Sequence, residues 1–495
     1  MPPLVPRPTT LVLALTFAAS PLVAQAGRAP AAPPLRLVER AVLAMGGAEA
    51  LRGLRTTILG FNSSSFALGQ EEIPLSPPRA TMSYGKITTD WQGSRRLTEQ
   101  ELRLVTGVVN RNRQVINEGI GMTELNGSQS PLAPAAVWNE VRGMRLQPQR
   151  FLLSALENSA ALRDLPPATF RGETLDGLRY AAGADTMNLW FDRPTGLVVV
   201  SEFLTDDPVL GDRRTLTWYT RWQARAGVKL PWQVDTEVNG RLLSHNVVTD
   251  LRVNEAVDPA AFAIPDSIAA RATRVTGPVA PPAIAVSLVE LAAGVWRAEG
   301  GSHHSLVVDQ GRRLVVVEAP QSAARMNAVL DTLRSRFPGK PVGLVVNTHH
   351  HWDHAGGLRT VLARGIPVAT HARNVAFVRG IGAARKTVAP DALSRGARMP
   401  VVRGVADTMT VGSGDSRVVL VTLPSVHAEG ILAAWVPKAG ILFVSDVLTP
   451  GPQLAAAGSA EVAALARARG LAIERVAGGH GGIAAWADVE RAAGR

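Results

Sequence analysis

Four histidines and one aspartate fall within seven residues, THHHWDH at 348–354. Imidazole nitrogen and carboxylate oxygen are groups that zinc takes at about 2.0–2.2 Å. The H-x-H spacing puts His349 and His351 on one side of the chain, and Asp353 with His354 follows closely enough to serve a second ion. His350, between them, faces away in that pattern and is read as a non-ligand. Alone, such a cluster could be a solvated loop or an incidental chelator. Three further blocks weigh against that reading: His427 in PSVHAEG, Asp446 closing the apolar run ILFVSD, and His480 in AGGHGG. Each stands directly after an apolar segment, at what would be one edge of a sheet. Glycines beside His480 permit close backbone approach. Two cations sharing a water lower its pKa from near 15.7 to about 7, which makes hydroxide available at neutral pH. Such a hydroxide attacks an ester, thioester, amide or phosphoester centre while the metal polarises the oxygen.

The elements that must position these residues are legible around them. VGLVV at 342–346 reads as a buried strand feeding the histidine loop, and Gly356 and Gly357 turn the chain into a helix over 357–364. Upstream, LVV at 306–308 and LVVV at 314–317 flank a turn, DQGR, and a helix follows over 322–336. Later strands are expected at 368–370, 417–421, 431–436 and 441–444, with a closing helix over 461–469. Strand pairs alternating with helices indicate a layered α/β arrangement.

The first half has a different rhythm. A helix from Leu35 ends at Gly46 and Gly47, and short β-rich runs then extend from 56 to 265. MNLWF at 187–191, the turn DRPTG and LVVV at 197–200 form a hairpin pattern. Runs at 215–222, 232–238 and 245–253 continue it, and one helix is expected over 148–163. Trp190, Trp218, Trp222 and Trp232 are read as core residues. Residues 266–285, rich in Ala, Pro, Arg and Thr, read as a linker between a β-rich domain at 27–265 and a second domain at 286–495. Few contacts are expected to cross it.

Length agrees, since 495 residues predict two or three domains. The net charge of +11 comes mainly from arginines scattered in runs no longer than pairs, without interleaved aromatics. A small-molecule substrate is therefore expected, and no nucleic-acid partner. The absence of cysteine rules out disulfides, thiolate ligands and a lipid-bearing cysteine. Arg7, the apolar run LVLALTFAA at 11–19 and the sequence AQA before Gly27 predict a signal peptide at 1–26, cleaved after Ala26. A periplasmic or secreted protein without an integral membrane segment is expected. The oligomeric state is not legible.

In their order, T-H-x-H-x-D-H-x-G-G, a lone His, S-D and G-G-H-G resemble the metallo-β-lactamase-fold superfamily over about 286–495. The resemblance implies an αββα sandwich with a metal cleft at one sheet edge. It implies a first zinc on His349, His351 and His427, a second on Asp353, His354 and His480, and Asp446 bridging both; manganese or iron are alternatives. Asp353 is implied to orient the nucleophile and shuttle its proton. This set is that of the superfamily's thioesterases, lactonases and phosphodiesterases. Zinc β-lactamases usually carry Cys or Ser where Asp446 stands, and lactonases a Tyr where Val447, Leu448 and Thr449 follow, so neither branch gains support. Glu318 stands where relatives often place an Asp beneath the metal loop, and His303 and His304 precede a hairpin whose start faces the cleft in relatives. His371 is read as structural and His245 as incidental.

The first domain, with AMGGA at 44–48, KLPW at 229–232 and V-N-x-x-V-D-x-x-x-F at 253–262, resembles periplasmic lipoprotein-carrier-type domains, whose curved antiparallel sheet can cradle an acyl chain. The leading expectation is an exported dizinc hydrolase. The alternatives are a protein binding an apolar ligand with a structural metal domain, or an iron-dependent dioxygenase of the same fold. A structural zinc site is closed by four ligands, whereas seven are present here. As every ligand lies between His349 and His480, a fragment beginning near Val286 is expected to keep its metals.

Overall fold

A computed structural model describes residues 34–104 and 107–494. The expected signal peptide lies outside the described residues.

Residues 56–253 build a thirteen-stranded antiparallel sheet. Strand Thr56–Phe66 pairs with Ala80–Asp90 on one side and with Arg241–Val253 on the other, so the first and last strands meet mid-sheet. Helix Pro34–Ala44 packs on this sheet because Leu37, Val38, Ala41 and Val42 recur at helical spacing and form one buried stripe. They meet Phe151 and Leu152 of helix Pro148–Glu157 and Leu189, Val198 and Tyr219 of the sheet. Each such buried Leu, Val or Phe side chain contributes about 1.5–3 kcal/mol. The helix expected over 148–163 stops at Glu157, and Leu162–Phe170 forms a strand. That strand carries Pro166 and Pro167, and it lies at the sheet edge, where a missing N–H costs no ladder bond. A further helix, Pro134–Arg145, was not expected; its proline at the first turn sets φ for the helix start.

The second domain has two mixed sheets face to face. One contains seven strands from Ser287–Ala292 to Val402–Val405 in chain order, and the other six from Thr408–Val411 to Ile483–Ala485. Strand Leu314–Val317 shows why both faces are covered. Leu314 and Val316 pack with Met326, Val329 and Leu333 of helix Ala323–Arg336, while Val315 and Val317 face Leu420, Leu432 and Phe443 of the other sheet. All four residues are fully buried, as an alternating strand between two apolar layers requires. Helix Ala456–Arg469 covers the second sheet with Val462, Leu465 and Ala466. It begins earlier than expected, and a last helix, Trp486–Ala492, follows. The order of layers is helix, sheet, sheet, helix.

Two features of the junction differ from the sequence-based expectation. Asp266–Ala269 is a helical turn whose Ile268 is buried against Leu97, Met122 and Phe262, and Val275 N donates to Gly119 O at 2.7 Å, so the chain stays on the first domain to that point. Contacts between the domains are also numerous. Asp212 Oδ1 accepts from Thr387 N at 2.6 Å and Val388 N at 3.1 Å. The loop 67–79, between the first two strands, reaches the histidine loop of the second domain. Such contacts pair residues far apart in the chain, and composition at the junction does not encode them.

Candidate metal centre

The residues singled out by spacing lie on loops at one edge of the two sheets. Strand Val342–Val346 delivers His349 and His351, and a short helix, Trp352–Ala355, carries Asp353 and His354. Asn347 stiffens the turn, donating through Nδ2 to His349 O at 2.6 Å and accepting from Thr370 Oγ1 at 3.0 Å. His427 follows strand Val418–Leu423, Asp446 follows Ile441–Phe443, and His480 follows Arg475–Ala477. At Gly478 a Cβ would lie 2.4 Å from His480 O, so only glycine allows the backbone to pass there.

All seven come together in two groups. His349, His351, His427 and Asp446 each offer an atom within 4.8 Å of the others, and so do Asp353, His354 and His480 with His303. Asp446 stands between the groups. Its Oδ2 lies 3.3 Å from His427 Nε2 and 4.0 Å from His349 Nε2, while Oδ1 lies 2.8 Å from His354 Nε2 and 3.2 Å from His480 Nε2. His350 is buried with its Nε2 directed at Glu71 O, away from both groups.

The donor set fits a pair of cations. His349 Nε2 is buried without a partner among the described residues. His354 donates its Nδ1–H to Glu318 Oε2 at 2.8 Å, and His480 its Nδ1–H to Ser302 O at 3.0 Å. With both outer nitrogens committed, neutral rings would turn two bare Nε2 lone pairs on each other at 3.2 Å. A proton or a metal ion between them removes that repulsion. Electrostatics point the same way. Burial opposes charge on His354, but Glu318 and Asp446 outweigh it and hold its pKa well above the usual histidine value. His480 is also raised, by its hydrogen bond to Asp446. His349 is lowered by burial and by neighbouring histidines, and burial with His427 brings His351 down to about 3, so these two stay neutral donors. Burial works against ionised Asp446, yet its bonds to His354, His427 and His480 hold it far below the carboxylate range.

Several residues complete the site. Glu318, fully buried, accepts from Thr348 Oγ1 at 2.8 Å and from Ser445 Oγ besides holding His354. The resemblance to the superfamily singled it out, and in the structure it stands one residue past strand Leu314–Val317. His303 Nε2 lies 3.1 Å from Asp353 Oδ2, and its ring centroid is 4.0 Å from that of His480. Gln70, Glu71 and Arg79, on the first domain, were not singled out. Gln70 Nε2 donates to Asp353 Oδ1 at 2.7 Å, Glu71 O accepts from His351 Nε2 at 2.9 Å, and Arg79 Nη2 donates to His427 O at 2.6 Å. No spacing within 67–79 announces these roles, because the partners lie elsewhere in the chain. His371 is buried and accepts at Nδ1 from Arg373 N at 3.3 Å, and His245 pairs with Asp235 on the other domain.

Residues 298–480 match the family model described as Metallo-beta-lactamase superfamily. Among similar solved structures, a metallo-beta-lactamase from Pontibacter korlensis is 16% identical over 41% of this chain and 95% of its own, with a TM-score of 0.34. The metallo-beta-lactamase FIM-1 from Pseudomonas aeruginosa, in a mono-zinc form, is 17% identical over 43% of this chain and 96% of its own, with a TM-score of 0.35. No curated protein matches the chain.

Proposed function

We propose, from a C-terminal domain with the metallo-β-lactamase fold, that this chain is an exported hydrolase holding two metal ions, zinc foremost, and cleaving an ester, thioester, lactone or phosphoester-type bond of a small molecule. The observation that carries this reading is Asp446, whose two oxygens face different histidine groups. A closed structural site would need neither the second group nor the partly open faces of His427 and His480. When bound, the metals supply an acidified water and a Lewis acid.

The chain's own residues do the rest. His349, His351 and His427 hold the first position; Asp353, His354 and His480 hold the second. Asp353, more open than the histidines of its loop, orients the nucleophile and takes its proton. Burial alone would raise its pKa, but His303, His354 and Gln70 outweigh burial and keep it ionised. Glu318 and Ser302 O fix the ring orientations of His354 and His480.

The first domain contributes a wall. A cavity of about 550 Å³ between the domains adjoins the histidine loop at His350 and Trp352 and is lined by Leu68, Ile73, Val209 and Phe377. We assign it to an apolar, non-reacting part of the substrate. Export rests on the sequence of residues 1–26 and is tested by N-terminal sequencing of the exported protein. The hydrolase reading is tested by metal analysis of purified full-length protein, joined to a screen of lactones, thioesters, phosphodiesters and β-lactams with wild type and Asp446→Ala. Metal-independent turnover, or fewer than two ions in zinc-loaded wild type, would refute it.

A further inference from the structure

We infer that residues 69–72 of the first domain are a positioning strap for the metal centre, so that metal retention depends on a domain containing no metal ligand. The inference rests on the ligand assignment above and concerns what orients those ligands.

Two polar groups of the strap reach one residue of each histidine group. Glu71 O accepts from His351 Nε2 at 2.9 Å. A carbonyl can only accept, so the His351 proton is fixed on Nε2, and bare Nδ1 faces His427 Nε2 at 2.9 Å. The same carbonyl accepts from His350 Nε2 at 2.9 Å, which gives this buried non-ligand its part in the loop. Gln70 Nε2 occupies Asp353 Oδ1 at 2.7 Å and leaves Oδ2 to the side of the centre, 3.1 Å from His303 Nε2 and 3.6 Å from His354 Nε2. One strap therefore selects the donor atom of a residue in each group.

The strap is held by groups with no share in the centre. Arg241 Nη2 donates to Glu71 Oε1 at 2.6 Å and to Ser76 O at 3.2 Å, so the buried Glu71 carboxylate points back into its own domain. On the other side, Trp352 N donates to Gly69 O at 3.1 Å and Glu429 N to Glu72 O at 2.7 Å. Gly69 has φ +80°, and a Cβ there would stand 2.1 Å from Trp352 Cδ2. A side chain at Gly69 must push the strap off the histidine loop.

Groups that orient metal ligands are typically worth 10–100-fold in metal affinity. The test uses full-length Gly69→Val and Gln70→Met. Chelator competition measures zinc affinity, the cobalt-loaded absorption spectrum reports ligand geometry, and thermal unfolding of the metal-free protein reports folding. We expect Gln70→Met to weaken one of the two ions about tenfold and to change the cobalt spectrum, with metal-free unfolding unchanged. Gly69→Val should weaken both. Wild-type affinity and an unchanged spectrum in Gln70→Met would overturn the inference even if Gly69→Val failed to fold. That result would leave the hydrolase reading standing, whereas a wild type without metal uptake would overturn both.

Discussion

Glu318 Oε2 and His354 Nδ1 lie 2.8 Å apart and both side chains are fully sequestered from solvent, an acid and a base enclosed together beneath the metal loop. Asp446 Oδ1 meets the opposite nitrogen of the same ring, also at 2.8 Å. Between two carboxylates His354 holds a proton in metal-free protein at neutral pH, its pKa raised well above the usual value. A raised histidine stabilises the folded state fully below its unfolded value, near 6.5, and loses that contribution as pH rises through the folded value. Metal must displace this proton. Zinc uptake in weakly buffered solution at pH 7 should therefore release protons, and affinity should fall as the solution is acidified. Glu318→Gln should reduce the release and weaken zinc about 10–100-fold. Calorimetry in buffers of different ionisation enthalpy measures the proton count; a count of zero in wild type would refute this account.

Asp446 and His350 are both close to the metal centre, but only Asp446 faces it. Asp446→Ala removes both oxygens between the histidine groups and should lower the occupancy of both ions, with turnover down by about 10²-fold or more. His350→Ala should leave metal content unchanged, since His350 Nε2 is spent on Glu71 O. Parallel metal analysis and kinetics decide; equal damage from both would mean that the assignment of loop faces is wrong.

His303 should act through Asp353. Its Nε2 lies 3.1 Å from Asp353 Oδ2 and helps hold that carboxylate below its ordinary range, against the opposing effect of burial. A depressed carboxylate loses its proton at lower pH, so removing His303 should make Asp353 take up its proton at higher pH in the metal-free protein. His303→Gln should lie between wild type and His303→Ala. Carboxyl titration of each metal-free variant followed by NMR is the measurement, and superimposable curves would detach His303 from Asp353.

Much of this site was legible because its ligands follow strands. A strand end fixes where a side chain stands, and apolar runs before His349, His427 and Asp446 announced those strands. Glu318 was legible only through the resemblance, which implies an acid beneath the metal loop. The strap was not, since Gln70 meets Asp353 across 283 positions and nothing local to either residue marks the pairing. The expectation that a fragment from Val286 would keep its metals rested on counting ligands in the sequence. The strap changes the physical question, because that fragment would keep every ligand and lose the groups that orient His351 and Asp353. Helix Pro134–Arg145 escaped for another reason: only Val137 and Met144 are buried, too few for a clear apolar stripe.

The inter-domain cavity makes a prediction about substrate size. Ile381 lines it from helix Val375–Ala383, away from both histidine groups. Ile381→Trp should fill part of it and lower kcat/KM for a large apolar substrate by about tenfold or more, while a small generic ester is turned over as by wild type. Comparing the two substrates on both proteins is the test; equal losses on both would detach the cavity from substrate binding.

Stability at low pH should depend on one ion pair behind that cavity. Arg359 is almost wholly buried, donating to Asp391 Oδ2 at 2.7 Å and Oδ1 at 3.0 Å and to the carbonyls of Ile381 and Gly382 at 2.6 and 2.8 Å. It ties helix Leu358–Ala363, just past the metal loop, to the end of helix Val375–Ala383. The Arg359 hydrogen bond, against burial and with help from Ser394, holds Asp391 far below the usual carboxylate range. A depressed acid contributes stability above its unfolded value, near 3.9, and loses it as pH falls towards the folded value. Asp391→Asn leaves the guanidinium buried with carbonyl partners but no counter-charge, and should cost about 3 kcal/mol at neutral pH. The decline in wild-type melting temperature below about pH 4 should correspondingly be shallower in the variant, because one of the groups responsible is gone. Melting curves of metal-free wild type and Asp391→Asn across pH 2–7 measure both effects. Parallel curves at all pH values would show that the pair contributes nothing through its charge.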